Sequence, residues 1–165
     1  MENDIRLAEI DKYNMWDILD LKIKREQKRF LADNVWSLAQ AYVSNKTEGA
    51  AYPLGIYNNK KPVGFILIIF NYPEANDDPD APEILRDNYY IQRFMIDKRY
   101  QGRGYGKKAI QQAIKFVKTF PHGKADRLWV YYDEENTAAR KLFCSCGFEE
   151  SYNETFGGYD AFIKL

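Results

Sequence analysis

The chain has 165 residues and a mass of 19.4 kDa, the size of one ordinary domain and enough to bury a core without disulfides or a structural metal. Hydrophobic residues make up 45% and aromatic residues 16% of it, which excludes a disordered or low-complexity polypeptide. Lys and Arg number 24 and Asp and Glu 24, a formal net charge of +0, so no overall field draws the chain to nucleic acid or to an anionic membrane.

Ile5, Leu7 and Ile10 alternate with polar residues and predict a first strand. Asn14 is placed to cap a helix through Met15, Trp16, Ile18, Leu19 and Leu21, which recur at three- and four-residue spacings. A second helix is predicted over Asn34–Ser44, with Val35, Leu38, Ala39 and Tyr42 as its apolar stripe. Strands at Ala51–Tyr57 and Val63–Phe70 flank an Asn58-Asn59 turn, a hairpin signal. The second of them, with its run GFILIIF, lacks polar alternation and reads as buried on both faces.

Residues 71–87 form a loop by composition, with three prolines and the acids Glu74, Asp77, Asp78, Asp80, Glu83 and Asp87 against Arg86. We read its charges as a solvated connection between strands. A strand over Tyr89–Ile96, the segment DKRYQGRGYGKK and a helix to about Thr119 come next. That helix carries Ala109, Ile110, Ala113, Ile114 and Val117 at helical period. Leu128–Tyr132 is a strand, Asn136–Cys144 a helix stopped at Gly147, and Phe148–Tyr152 and Tyr159–Leu165 are final strands. The order is that of a mixed α/β domain without internal repeat.

No apolar run is long enough to span a bilayer. The opening MENDIRLAEI has acids where a signal peptide carries bases. Cys144 and Cys146 stand too close for an ordinary bridge and are too few for a zinc site. These features predict a reduced, cytoplasmic domain that uses no metal, nucleic acid or membrane. His122, the sole histidine, follows Pro121 in a turn and receives no catalytic role.

Gln101, Gly102, Arg103, Gly104, Tyr105, Gly106 and Lys107 lie between a predicted strand and a predicted helix. Glycines there let the backbone turn sharply and approach a ligand. The following helix aims unpaired N–H groups and its positive dipole end at the same place, which suits a phosphate. A Walker loop needs four residues between its glycines and then Lys-Ser/Thr, whereas Gly102 and Gly106 enclose three and Lys108 follows Lys107. A dinucleotide loop needs G-x-G-x-x-G, and Gly106 comes one residue early.

Gln101, Gly104 and Gly106 match the pattern Q/R-x-x-G-x-G/A of the acyl-CoA loop in the GCN5-related N-acetyltransferases. Downstream, Asn136, Ala139, Leu142, Phe143, Gly147 and Phe148 match that family's N-x-x-A-x-x-L-Y/F-x-x-x-G-F. The chain therefore resembles this superfamily over nearly its whole length. The stretch from Lys24 to Val43 further resembles the bacterial spermine/spermidine acetyltransferases within it.

The resemblance implies a twisted, mostly antiparallel mixed sheet of about six to seven strands flanked by about four helices. A V-shaped splay would separate the strand ending at Ile96 from Leu128–Tyr132. Acetyl-CoA would be the co-substrate, its pantetheine pairing with the edge at Phe94, Met95 and Ile96 as an added strand would. Its pyrophosphate would rest on the loop from Gln101 to Gly106, with Lys107 beside it, and Asn136, Ala139 and Phe143 would contact the pantetheine's far side. A small-molecule amine, a polyamine by the narrower resemblance, would attack the thioester directly. A backbone N–H around Met95 would stabilise the charge developing on the oxygen. Small members of the family are often dimers, which leaves a homodimer open.

Two positions depart from the family. Relatives usually carry Tyr where this chain has Phe143, so Tyr131, Tyr132 or a bound water must protonate the departing thiolate if anything does. Tyr90 stands where histone-type relatives carry a glutamate base, which leaves a water chain, an acid from another loop or the neutral fraction of amine. For the acceptor, the resemblance points to Glu26, Gln27, Phe30, Asn34 and Trp36 on the early helices, where carboxylates and aromatic faces suit a polycation.

Overall fold

The computed structural model describes residues 4–47, 50–71 and 79–165. Glu74, Asp77 and Asp78 of the acidic loop lie outside the described residues. Strands β1 (Ile5–Glu9), β2 (Ala50–Asn58), β3 (Lys61–Phe70), β4 (Tyr89–Ile96), β5 (Arg127–Asp133), β6 (Glu149–Asn153) and β7 (Gly158–Lys164) form one sheet in the order β1-β2-β3-β4-β5-β7-β6. Helices α1 (Met15–Leu19), α2 (Asn34–Lys46), α3 (Tyr105–Val117) and α4 (Thr137–Ser145) complete the fold. The expected mixed α/β sheet with four helices is the one observed.

β3 explains the unbroken GFILIIF run. Phe65, Leu67 and Ile69 face a cluster with Ile18 of α1 and Ala41 of α2, while Ile66, Ile68 and Phe70 face one with Ala109, Ile110 and Ala113 of α3. Alternate residues thus enter two separate cores, and neither face of the strand is left for polar residues. Each such side chain contributes about 1.5–3 kcal/mol by leaving water.

Neighbouring strands are antiparallel except β4 and β5, which are parallel. β4 and β5 pair only at Tyr89 with Leu128 and Tyr90 with Trp129, and diverge beyond. Where Leu67 pairs with Arg93, Ile68 pairs with Ile91, so Gln92 is an extra residue in β4. A bulge of this kind bends its strand and raises its twist, which turns the C-terminal half of β4 away from β5.

α2 corrects the sequence reading of its faces. Asn34, Ser37 and Ala41 are buried, whereas Val35, Ala39 and Tyr42, expected to face the core, are exposed. The buried polar positions are held by hydrogen bonds: Asn34 Nδ2 donates to the Ile18 carbonyl (2.8 Å) and Ser37 Oγ to the Asp33 carbonyl (2.8 Å). These bonds satisfy the polar part of the inner face, and Leu38 is the one member of the expected stripe that packs on the core, beside Ala41. α1 also stops at Leu19, earlier than predicted, with Leu21 buried just after it.

Candidate active site

The divergence of β4 and β5 opens a cleft of about 580 Å³. One wall is the edge of β4 and the loop that follows, the other is β5 with α4, and residues 23–31 close the end nearest α1. Phe94, Met95, Ile96, Gln101, Gly102, Gly104, Tyr105, Gly106 and Lys107 line it, as do Tyr131, Asn136, Ala139, Phe143, Gln27 and Phe30. The cleft therefore gathers most of the residues singled out from the sequence.

The loop before α3 is shaped by left-handed glycines. Gly102 has φ 76° and Gly104 φ 77°, values that side-chain-bearing residues rarely adopt. An added Cβ at either would meet nothing within 4 Å, so both border open space. Gly104 is the N-cap of α3 and has no side chain to satisfy the first-turn N–H groups, which stay available to an anion. Gly106 differs: a Cβ there would make an ordinary 3.5 Å contact with Leu142 of α4, so alanine also fits. Gln101 is fixed by donating from Nε2 to the Ile96 carbonyl (2.9 Å) and to Gln27 Oε1 (2.8 Å). This ties the 3₁₀ turn Arg25–Gln27 to the loop.

Backbone alternation decides which residues of β4 turn their N–H groups toward the cleft. Asp97 N donates to the Val63 carbonyl (2.8 Å), and the register from Arg93 to Ile96 is regular. Alternate residues direct both N–H and C=O to the same side, so Met95 joins Asp97 in facing β3, while Phe94 and Ile96 face the open edge. Met95, expected to offer its N–H, instead buries its side chain in the cluster beneath α1. The free edge for an extended ligand is that of Phe94 and Ile96.

Other expected residues fall outside the cleft lining. Arg103 is exposed, its guanidinium 5.6 Å from the Tyr100 ring. Glu26 is exposed in the short 3₁₀ turn Arg25–Gln27. Asn34 is buried with its amide bound to Ile18, and Trp36 is 58% exposed on α2.

The aromatic chemistry near the strand ends is specific. Phe143 is buried and stacks on Tyr132 at 5.8 Å and 8°. The Tyr132 hydroxyl donates to Glu150 Oε2 (2.8 Å), and burial, then that carboxylate, pushes its pKa well above the usual phenol value. The Tyr131 hydroxyl donates to the Phe156 carbonyl (2.9 Å). Its pKa is raised by burial first and then by the carboxylates of Asp133, Asp160 and Glu134. Tyr90 stacks on Trp129 at 4.1 Å, where β4 and β5 are still paired.

Sequence reasoning missed several lining residues. Asp133 supplies a carboxylate at the C-terminal end of β5, the end of a parallel pair where ligands collect. That position in the strand was the signal that could have found it. Arg29 bonds Glu135 Oε2 at 2.6 Å, joining the segment between α1 and α2 to the β5–α4 turn, and its guanidinium lies 4.5 Å from the Phe30 ring. Partners so far apart in the chain leave no local signal.

The family model for the GNAT acetyltransferases matches residues 15–148. The chain belongs to the GNAT acetyltransferase family. Its chemistry is accordingly N-acetyl transfer from acetyl-CoA. It is 26% identical over 160 residues to a spermine/spermidine N(1)-acetyltransferase of Bacillus subtilis (strain 168), covering 97% of each chain. A spermidine N-acetyltransferase from Vibrio cholerae, solved with CoA and spermine, superposes with a TM-score of 0.70 at 16% identity over 99% of this chain and 96% of that one. An aminoglycoside acetyltransferase solved with coenzyme A gives a TM-score of 0.69 at 14% identity, covering 98% and 94%. Among the described residues no helix is long and apolar enough to cross a membrane, and no cluster of His, Cys, Asp and Glu could hold a metal ion.

Proposed function

We propose that this chain transfers the acetyl group of acetyl-CoA to a primary amine of a polyamine such as spermidine or spermine. The observation that carries the acceptor class is Asp133, whose carboxylate lines the cleft beside Tyr131 and, after burial, adds to the rise in that phenol's pKa. Negative charge that disfavours a phenolate favours an ammonium. Phe30 and Tyr131 add aromatic faces for the methylene chain and its cations. The similarity to a polyamine acetyltransferase supports the same class.

The roles follow from position. The N–H groups of the Gln101–Gly106 loop and the start of α3 receive the diphosphate, with Lys107 adding charge. The pantetheine lies along the Phe94 and Ile96 edge, and Asn136, Ala139 and Phe143 flank its other side. Acetyl-CoA supplies the thioester and a thiolate leaving group. Asp133 draws the ammonium toward the strand ends, and the neutral amine attacks the thioester carbon as the C–S bond breaks. An N–H of the Phe94–Ile96 edge stabilises the charge growing on the oxygen, a contribution of about 2.7–4 kcal/mol in comparable sites. Phe143 carries no proton to give. A thiol pKa of ~8.5 makes thiolate departure tolerable without a dedicated acid. The Tyr132 hydroxyl is committed to Glu150, whereas Tyr131 borders the cleft and reaches the thiolate if it releases Phe156.

Free thiol is the readout that tests this. Incubation with acetyl-CoA and spermidine should release CoA thiol, with none released in the absence of amine. Asp133→Asn should lower kcat/KM for spermidine by about tenfold, the loss of ~1.4 kcal/mol of attraction. Turnover of kanamycin but not of spermidine would move the acceptor to the aminoglycosides, and no turnover of any amine would contradict the reading.

A further inference from the structure

The oxygen of the Gln27 amide is fully engaged. Gln27 is half-buried at the cleft, while Arg25, Glu26 and Lys28 around it are exposed. Its Oε1 accepts from Lys24 N (3.0 Å) and from Gln101 Nε2 (2.8 Å), and its Nε2 donates to Gln101 Oε1 (3.3 Å). An amide oxygen has two lone pairs, and both are used. What Gln27 has left is one N–H, and an ammonium offers only N–H groups of its own. The family resemblance places Gln27 against the amine, but its free group has the wrong polarity for that contact.

Gln101 carries the other half of the pair. The two hydrogens of its Nε2 go to Gln27 Oε1 and to the Ile96 carbonyl (2.9 Å). Ile96 is the last residue of β4. Its carbonyl faces the open edge, since Asp97 N, the next group along, bonds Val63 of β3 on the other side. Phe94 and Ile96 turn four backbone groups to the cleft, and Gln101 occupies the one nearest the anion-binding loop. The other three face the space that opens where β5 leaves β4. The Gln101 amide is thus a stop at the end of the edge, at the point where the loop begins.

We propose that Gln27 is a positioning residue for the coenzyme: it holds Gln101 on the Ile96 carbonyl and so fixes the register in which the pantetheine pairs with β4. The assignment rests on the reading of the cleft as the coenzyme site, and not on which amine is acetylated. With the stop gone, the Ile96 carbonyl is open to a ligand N–H, and the pantetheine gains a second register that carries the thioester away from its place. Misplacement of a reacting group by about 1 Å can cost about 100-fold in rate. The segment itself keeps two other attachments, Lys22 N to Asp97 Oδ2 (2.8 Å) and Arg29 to Glu135 Oε2 (2.6 Å).

Three variants test this: Gln27→Met, which keeps the side chain's length and removes its amide, Gln101→Ala, and the two combined. Each is titrated with CoA by calorimetry and assayed with acetyl-CoA and spermidine. Gln27→Met should keep the wild-type circular dichroism, bind CoA about fivefold more weakly, the loss of one neutral hydrogen bond, and lower kcat at least tenfold. Its KM for spermidine at saturating acetyl-CoA should stay within about twofold of wild type. Gln101→Ala approaches the same contact from the other side and should show the same pair of losses. The double variant should match Gln101→Ala within about twofold, because Gln27 acts through Gln101. A raised amine KM with CoA affinity and kcat unchanged would make Gln27 an amine ligand and overturn the assignment. Losses that multiply in the double variant would mean that Gln27 only braces its own turn, and would overturn it equally. The CoA titrations need no amine: a wild type that binds no CoA defeats the coenzyme reading, whereas a wild type that binds it as tightly as Gln27→Met does defeats this assignment alone.

Discussion

Asp97→Asn is the sharpest test of how the cleft is held in shape. Asp97 is 1% exposed and stands at the end of β4, immediately before the anion-binding loop. Its Oδ1 accepts from Arg99 N (2.9 Å) and Nε (2.8 Å), and its Oδ2 accepts from Lys22 N (2.8 Å). Lys98 N in turn donates to the Lys22 carbonyl (2.8 Å), so the carboxylate pins the segment that follows α1 to the loop. Asparagine keeps one oxygen for Arg99 but turns an N–H₂ toward the Lys22 N–H, a donor against a donor. Loss of one charge-assisted bond, with a buried donor left unpaired, costs about 2–4 kcal/mol. The Arg99 end adds little because that side chain is 59% exposed.

The pH dependence has a definite sign. Burial alone would raise the Asp97 pKa, but hydrogen bonds from Arg99 and Lys22 outweigh it and hold the carboxyl below its usual value. Between the lowered folded value and an unfolded value of ~3.9 the unfolded chain binds more protons. The contribution of Asp97 is thus fully present above the unfolded value and is lost as pH falls through the folded one. Urea unfolding at neutral pH should show the 2–4 kcal/mol deficit, and the variant's loss of stability in acid should be shallower than the wild type's. A deficit under about 0.5 kcal/mol, the size of an ordinary surface substitution, or an unchanged acid limb, would refute the reasoning.

Gly104→Trp should fold, since nothing lies within 4 Å of the added Cβ, at a cost of ~1–2 kcal/mol for its left-handed backbone. It should also weaken CoA binding at least tenfold by calorimetry, about one charge-assisted bond to the diphosphate. Arg29→Ala should change stability by less than ~1 kcal/mol, because both partners in its salt bridge are about 60% exposed, while raising the KM for amine. Tyr132→Phe should keep turnover within about threefold because its hydroxyl serves Glu150, and Phe143→Tyr should preserve or raise turnover. With His122 packed on Phe70 at the far end of β3, the rate at subsaturating amine should climb from pH 7 toward 9 as the amine (pKa ~10) loses its proton. A plateau near pH 7 would reveal a base in the cleft.

The parts legible in the sequence were those carried by local chemistry. β3 announced its double burial through GFILIIF, and α3 announced both its packing face and its glycine N-terminus. The helix read over Asn136–Cys144 lies within one residue of its observed bounds, with Asn136 as its N-cap accepting from Ala139 N at 3.2 Å. The misreadings arose where hydrogen bonds let polar side chains turn inward. Asn34 takes the inner face of α2 because Ile18 of α1 offers it a carbonyl, and Ser37 bonds the Asp33 carbonyl one turn back in its own helix. The edge of β4 turns on Gln92, a one-residue bulge without sequence signature, and its alternation then gives the open side to Phe94 and Ile96 in place of Met95. Arg29 and Glu135, on opposite sides of the cleft, become neighbours only once the sheet has formed.

The central claim is that the backbone between Gln101 and Gly106, with the start of α3, holds the diphosphate of coenzyme A. Isothermal titration of the folded protein with CoA and with pantetheine, which lacks the diphosphate, measures this directly. CoA should bind with measurable heat and at least tenfold more tightly than pantetheine. Absence of heat with CoA, or equal affinity for the two, would contradict the account.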